Sequence, residues 1–408
     1  MVRFGPRILP DIVTSQSALR STFGLRLLFD PTFIRAALWV VLGLACVVRI
    51  AQFLVFSTQE QWGYDFSSYY LAGADVLAGR SPYDAFQLQG PYSPQVPGQY
   101  IYPPAFAVAV APFSALFSDY REANWLWAGV GAVVLVAVVV GVGRRELGFA
   151  RRDLALLLLA AFAFAPVIGE LVMGNVHLII LGLMAGTWVA VRDGSSRGEV
   201  VGGALVGVAA LIKIFPGVVI LWFLLTGRIR AAVAALVTIA ILVVLTLPII
   251  GLEPWLQYPT VLLNLGTPVD TQDVLAPSVW LSEVMSPLLA RIVVTTTGVA
   301  LVVWAVARRT EPVSFAVAVA VSILIAPALY QHYLALLVLP MLLALRVAPP
   351  LAWVAVAYVL LSGGEQEALG DFVWIVNRAL PTLGALLVVA GLLVFGQRRV
   401  GAETVQPA

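Results

Sequence analysis

The feature that most constrains the fold of this chain is a long succession of apolar runs separated by short breaks that carry arginine. A segment that crosses lipid must satisfy its own backbone hydrogen bonds, so such runs predict α-helices. The sequence therefore predicts an all-α polytopic membrane protein with about 12 transmembrane helices. The runs lie at residues 36–56, 123–143, 154–170, 176–191, 200–212, 214–227, 231–250, 290–307, 313–329, 333–345, 350–362 and 379–396.

The composition excludes several classes of protein. Only 11% of the 408 residues are charged and 61% are hydrophobic, whereas about a quarter of the residues in a soluble domain are charged. The net charge of +2 provides no basic field for nucleic acid. Cys46 is the only cysteine, which excludes a disulfide framework and a cysteine metal site within one chain. The strong preference for arginine over lysine, with abundant Ala, Val and Gly, indicates a bacterial protein from a GC-rich genome.

The distribution of basic residues predicts the orientation in the membrane. If the short apolar stretch at 104–117 does not cross the bilayer, 18 of the 24 basic residues lie on the cytoplasmic side. If that stretch crosses, the RRELGFARR segment at 144–152 is exported and the pattern inverts, so we predict that it does not cross. The first long run, 36–56, lies too far along the chain and is too long for a cleavable signal peptide, and we interpret it as a signal anchor.

This topology predicts the domain organisation. A cytoplasmic N-terminal segment (1–35) precedes a transmembrane domain (36–396), and a cytoplasmic tail (397–408) follows it. Fourteen of the 22 acidic residues then fall at or near the extracytoplasmic face of the plasma membrane, many of them in two long loops, 57–122 and 251–289. The first loop predicts a juxtamembrane amphipathic helix (FSSYYLAGADVLAGR) and a Pro/Tyr-rich connector. We therefore expect the ionisable chemistry at this face.

Lys213 is the only lysine and lies between two apolar half-helices, 200–212 and 214–227. Each half is too short to span about 30 Å alone. The ends of both halves that lie away from Lys213 are basic, so we expect a hairpin that turns at Lys213. An ionisable residue at such a depth marks a functional site by default, and a cation that faces a cavity suits a phosphate. The alternative is that Lys213 extends to the headgroups from a shallow hairpin.

Asp65 is the leading candidate for a general base, because it follows the first membrane helix directly and opens the predicted amphipathic segment. The structural alternative is an N-cap for the helix that begins at Phe66, and the two roles do not exclude each other. Asp75 and Asp84 are rivals, but one falls in mid-helix and the other follows a turn, so structural roles are favoured.

His332 and His177 are the only histidines, and both lie near the predicted outer ends of helices. Their spacing from carboxylates matches no metal motif, so we expect activity without a divalent ion and without any cofactor. Arg378, just before the last helix, could pair with phosphate or anchor the helix at the interface. The chain also has no Walker phosphate loop, dinucleotide fingerprint or nucleophile elbow, which makes a nucleotide sugar an unsuitable donor and favours a polyprenyl phosphate sugar in the membrane.

Five segments of the chain stand out as motifs: YDFSSYYLA at 64–72, GRSPY at 79–83, YPPAF at 102–106, GALVGVAALIKIFP at 203–216 and APALYQHY at 326–333. These motifs resemble the C-type glycosyltransferases and, more closely, glycosyltransferase family 87, which includes polyprenol-phosphate-mannose-dependent α-mannosyltransferases. The resemblance is broad and covers roughly 36–396. Two positions differ from the family pattern. Gly174-Asn175-Val176-His177 replaces a typical Gly-Gln-Val-Asn, and a tyrosine, Tyr330, replaces a tryptophan.

The resemblance implies a membrane hexosyltransferase, and mannose is the first sugar to consider. It implies that Asp65 is the catalytic base and that Lys213 and His332 lie near the donor phosphate, where Arg378 could assist. The implied reaction is one inverting displacement by a lipid or glycan hydroxyl, with polyprenyl phosphate as the leaving group. The candidates for substrate binding are Tyr69, Tyr70, Asn175 and His177.

Other readings remain open from the sequence. A related transferase could use a polyprenyl phosphate pentose or act on protein. A lipid or sugar transporter would predict internal repeats and polar residues near the midplane, and neither is apparent. A structural partner in an envelope complex would leave Lys213 and the long first loop unexplained.

Overall fold

The computed structural model describes residues 31–93, 96–266, 269, 271–363 and 375–398. Across these residues the chain is helical and has no β-strand, which confirms the predicted all-α class. Almost all of the predicted cytoplasmic segment 1–35 and tail 397–408 lies outside the described residues.

The helices of the N-terminal half follow one another closely, because the apolar runs are interrupted only by short polar or glycine-containing breaks. They are α1 (Pro31–Phe56), α2 (Tyr64–Leu77), α3 (Ala85–Gln89), α4 (Pro104–Leu116), α5 (Tyr120–Leu147), α6 (Arg151–Ala163), α7 (Ala165–Met173), α8 (His177–Val191) and α9 (Ser196–Ile212).

The C-terminal half contains a further set of α-helices and several short 3₁₀- or π-helical segments. The α-helices are α10 (Val218–Leu225), α11 (Ile229–Ile250), α12 (Glu253–Leu265), α13 (Pro277–Leu281), α14 (Pro287–Arg308), α15 (Glu311–Leu324), α16 (Val338–Val347), α17 (Ala352–Leu361) and α18 (Leu380–Phe395). The short turns are 3₁₀ segments at Phe215–Gly217, Thr271–Asp273 and Gln331–Leu337 and a π-helical turn at Ile375–Ala379.

Five helices in the described part of the chain are long and apolar enough to cross a membrane: α1, α5, α11, α14, and α18 with the turn before it. The pair α6 and α7 meets the same criterion together but bends by 61° at Phe164, so the predicted single helix at 154–170 is broken. Other apolar helices are shorter than a full span, and the figure of twelve spans stays a prediction.

The short apolar helices are explained by burial within the protein. In α15 every residue from Val313 to Leu324 is buried, so its neighbours in the structure are other helices. By contrast α1 and α11 expose large apolar side chains such as Leu44 and Leu245. Lipid is the solvent that such faces require, and the peripheral helices therefore enclose a core of shorter ones.

The predicted hairpin around Lys213 is present. Helix α9 ends at Ile212, and α10 returns to a point where Arg228 Nη1 lies 3.6 Å from Glu199 Oε1, near the start of α9. Arg228 Nε also donates to Glu311 Oε1 at 2.8 Å. The pair with Glu199 joins the two ends of the hairpin, and the pair with Glu311 links them to the start of α15. Lys213 lies at the opposite end of the hairpin, about 26 Å away by the length of α9.

Candidate active site

The site is built around the sharp turn between α7 and α8. Helix α7 ends at Met173, and its C-cap, Gly174, has a φ of 69°, a left-handed conformation that glycine adopts without strain. A Cβ atom at this position would lie 2.1 Å from Asn124 Oδ1 and 2.7 Å from Phe66 Cβ. The absence of a side chain thus lets this turn approach α2 and α5 closely, and the residues that follow enter the site.

A second contact fixes α2 against the same turn. The N–H of Gly63 donates to the carbonyl of Val172 at 2.8 Å, and Gly63 itself is the left-handed N-cap of α2. Asp65, in the first turn of α2, makes no capping bond; its carboxylate is directed to Asn175 and His332. Of the two roles considered for Asp65, the structure therefore places the side chain in the site and gives the cap to Gly63.

Asn175 connects Asp65 to the aromatic wall of the site. Its Nδ2 donates to Asp65 Oδ2 at 2.7 Å, and its Oδ1 accepts from the hydroxyl of Tyr69 at 3.0 Å. The Tyr69 hydroxyl also contacts that of Tyr102 at 2.8 Å. Asn175 is 3% exposed, so this buried amide, hydrogen-bonded through both its oxygen and its nitrogen, fixes the orientation of the carboxylate.

His332 approaches Asp65 from the 3₁₀ turn after α15. Its Nε2 lies 3.0 Å from Asp65 Oδ2, and its ring stacks on Tyr330 with centroids 6.0 Å apart. Gly169 makes room for it, since a Cβ there would lie 3.2 Å from the Cβ of His332. Because an ionised carboxylate only accepts hydrogen bonds, Nε2 carries the proton in this contact.

These contacts change the acidity of Asp65. Burial alone raises the pKa of a carboxyl, but the hydrogen bond and charge of His332, the Asn175 amide and the Lys213 ammonium outweigh it and lower the pKa of Asp65 below its ordinary value. The side chain is 24% exposed. Asp65 is therefore an accessible carboxylate that stays ionised at neutral pH, as a general base requires.

A second polar chain lies beside the first. Lys213 Nζ is 3.2 Å from His177 Nε2, and His177 Nδ1 is 3.1 Å from Glu170 Oε2. The ammonium also lies over two tyrosine rings, 3.6 Å from the centroid of Tyr333 and 5.0 Å from that of Tyr102. The aromatic faces attract the ammonium and hold it in the same cluster as Asp65.

Two of the sequence candidates lie outside this cluster. The Tyr70 hydroxyl donates to the carbonyl of Phe117 at 2.8 Å, so its side chain joins α2 to the end of α4. Arg378 Nε donates to the carbonyl of Val274 at 3.2 Å, and its guanidinium pairs with Glu283 at 3.5 Å. Tyr70 and Arg378 therefore lie outside the cluster. The structure brings together the other six candidates: Asp65, Lys213, His332, Tyr69, Asn175 and His177.

The rival carboxylates have structural contacts. Asp75 accepts from Arg80 Nε at 2.9 Å, and Asp84 is the N-cap of α3 in a capping box with Gln87. Sequence reasoning gave no role to Glu170, although a carboxylate within the apolar run APVIGELVMG is a signal that could have identified it. Within the described residues, no group of three His, Cys, Asp or Glu side chains could hold a metal ion.

A half-buried carboxylate and a half-buried ammonium thus lie in one cluster within a bundle of apolar helices. The model of glycosyltransferase family 87 matches residues 100–340, more than half of the chain. The chain therefore belongs to glycosyltransferase family 87 and is a membrane glycosyltransferase. The matched region includes Asn175, His177, Lys213 and His332 and begins after Asp65. A search of curated proteins gave no match.

Proposed function

We propose that this protein moves a hexose, with mannose as the first candidate, from a polyprenyl phosphate sugar to a hydroxyl of a lipid or glycan acceptor. The observation that carries the proposal is that Asp65, an accessible base, and Lys213, the only lysine, lie in one aromatic-lined cluster. A base and a phosphate-binding cation are the two groups that such a transfer needs.

In the proposed reaction the acceptor hydroxyl attacks the anomeric carbon in one inverting step. Asp65 takes the hydroxyl proton while the bond between the anomeric carbon and the phosphate oxygen breaks, and polyprenyl phosphate leaves with that electron pair. His332 and Asn175 hold the Asp65 carboxylate in place for this transfer. One carboxylate is sufficient, because phosphate leaves without the acid that a glycosidase must supply.

Lys213 is the proposed partner of the departing phosphate. Its charge lies in a water-poor cage of tyrosines, where electrostatic stabilisation of a developing anion is strongest. His332, within the cluster, and Arg378, beside it, are the further candidates to contact the phosphate. Tyr69 and Tyr102 line the space between the base and the ammonium, which makes them candidates to contact the sugar.

The proposed location is the plasma membrane, with about 12 helices and the site at the extracytoplasmic face. The support is the predicted excess of arginine at the opposite end, where Arg228 pairs with Glu199 and Glu311. A membrane-bound donor suits this face, since the chain carries no nucleotide-binding motif.

The donor class is tested by supplying purified protein with radiolabelled mannose on polyprenyl phosphate or on a nucleoside diphosphate, with membrane lipids as acceptors. We expect transfer from the polyprenyl donor alone, with no dependence on a divalent ion. Transfer from the nucleotide donor, or loss of activity on chelation that one metal restores, would contradict the proposal. Transfer of a pentose in preference to mannose would keep the mechanism and change the sugar.

A further inference from the structure

Glu170 is a buried carboxylate that the proposed reaction does not use. It lies in α7, it is 1% exposed, and it is surrounded by apolar residues of the same helix. Burying a charge is costly unless it is paired and hydrogen-bonded. The contacts of this side chain should therefore show what it does.

Each carboxylate oxygen of Glu170 has its own partner. Oε1 accepts from the backbone N–H of His177 and from that of Leu178 at 3.3 Å, so it satisfies two free N–H groups at the start of α8. Oε2 lies 3.1 Å from Nδ1 of the His177 side chain. The carboxylate is fixed by α8 on one side and directs the imidazole on the other.

The contact with Glu170 determines the tautomer of His177. With Glu170 ionised, its oxygens only accept, so Nδ1 carries the proton and Nε2 of the neutral ring is an acceptor. Nε2 lies 3.2 Å from Lys213 Nζ, which has only donors to offer. The ring cannot turn away, because it lies between Tyr333, with centroids 3.9 Å apart, and Phe215, stacked at 5.9 Å.

We propose that Glu170, acting through His177, is a positioning residue that holds the Lys213 ammonium toward the donor phosphate. The inference deepens the proposed function and rests on it. One N–H of Lys213 is committed to His177, the aromatic faces of Tyr333 and Tyr102 flank the ammonium, and the remaining donors are left for the phosphate. The hydrogen bond to His177 fixes the flexible four-carbon side chain of Lys213 in one orientation.

The simpler role for Glu170 is to cap α8. Glu170→Gln separates the two roles. The backbone N–H groups of His177 and Leu178 keep the glutamine oxygen in the position of Oε1, so the cap is retained. The amide NH₂ then faces Nδ1, which must become an acceptor, and the proton moves to Nε2. His177 Nε2 is then a donor that faces the ammonium, and the hydrogen bond between Lys213 and His177 is lost.

The kinetic test is a double-mutant cycle between Glu170→Gln and Lys213→Met. Losing a hydrogen bond to a charged group should raise KM for the polyprenyl donor by about tenfold, with KM for the acceptor unchanged. In the Lys213→Met background, Glu170→Gln should have no further effect. Glu122→Gln, the same change at an exposed position of α5, is the matched control. An equal effect of Glu170→Gln in both backgrounds would show that it only caps α8 and would overturn the proposal.

A second measurement does not depend on transfer. Because Lys213 is the only lysine, its acetylation by acetic anhydride can be followed by peptide mass spectrometry. In Glu170→Gln the ammonium loses its acceptor and a nearby negative charge, so we expect labelling at neutral pH to be about tenfold faster. His177→Gln, whose amide oxygen can replace Nε2 as the acceptor, should restore slow labelling in the presence of Glu170→Gln.

Unchanged labelling in Glu170→Gln would overturn the proposal, whatever the kinetics show. If the unmodified protein transferred no sugar at all, the proposed function would fail, while the labelling experiment would still decide whether Glu170 holds Lys213. The two failures are thus distinguishable.

Discussion

His332 Nε2 lies 3.0 Å from Oδ2 of Asp65, although the two residues come from opposite ends of the chain. The contact joins the first turn of α2 to the 3₁₀ turn after α15. In the proposed reaction it orients the base and keeps it ionised, so the acidity of Asp65 should depend on His332.

That dependence predicts a change in the pH profile. The pKa of Asp65 is lowered, so the base form persists as pH falls until it is protonated below the ordinary range of aspartate. His332→Gln removes the main group that lowers this pKa and leaves the opposing effect of burial, so the acid limb of kcat/KM should move to higher pH. The measurement is kcat/KM against pH for both proteins, and an acid limb that does not move would contradict the assignment.

Replacement of Lys213 should affect the leaving group. Lys213→Met keeps the length and apolar stem of the side chain but removes the charge, and we expect kcat/KM to fall by about 10²–10³-fold. Lys213→Arg should restore little, because a planar guanidinium does not fit a site shaped for an ammonium between two rings. Arg378→Gln removes a positive charge outside the cluster and is the variant for comparison. It should lower kcat/KM by about tenfold or less. A larger loss of kcat/KM in Arg378→Gln than in Lys213→Met would show that Arg378, and not Lys213, is the main partner of the departing phosphate.

The turn at Gly174 supplies a test of stability. In Gly174→Ala the left-handed backbone is strained and the new Cβ meets Asn124 and Phe66, so we expect a loss of about 1–3 kcal/mol together with most of the activity. Gly79→Ala is the control, because its φ is +68° but no atom lies within 4 Å of the added Cβ. It should cost only about 1 kcal/mol. Thermal unfolding in detergent measures both, and equal losses would show that crowding at Gly174 is unimportant.

The orientation in the membrane can be tested because the chain has one buried cysteine, Cys46. In a Cys46→Ala background, Glu60→Cys places a thiol at the exposed end of α1 near the site, and Asp193→Cys places one at the exposed arginine-rich end. A membrane-impermeant maleimide should label the first in intact cells and the second only after lysis. The reverse order would place the site on the cytoplasmic face.

The sequence predicted the helical class because apolar runs in lipid have few alternatives, and it predicted the Lys213 hairpin from two half-length runs with basic ends. It could not predict the bend at Phe164, nor which short apolar helices are surrounded by protein, since a run such as α15 is equally apolar whether protein or lipid surrounds it. Periodicity does not distinguish these two environments.

The sequence singled out several residues that the structure brings together, but it did not reveal the contacts between them. Asp65, Lys213 and His332 were identifiable because ionisable residues are rare in this chain. The contact of Asn175 with Asp65 depends on the close approach of two turns at Gly63 and Gly174, which the sequence does not reveal. The same is true of the link from Glu170 to Lys213, which passes through a histidine on another helix.

Asp65 is the proposed base, and a pair of matched aspartate substitutions in α2 isolates its role. Asp65→Asn keeps the size of the side chain, and Asp75→Asn makes the same change in the same helix, where only an ion pair with the exposed Arg80, worth about 0–1 kcal/mol, is lost. The measurement is transfer of radiolabelled sugar from the polyprenyl phosphate donor by each purified variant. We predict a loss of about 10²–10⁴-fold in Asp65→Asn and near-normal transfer in Asp75→Asn. Equal transfer by Asp65→Asn and the unmodified protein would contradict the account.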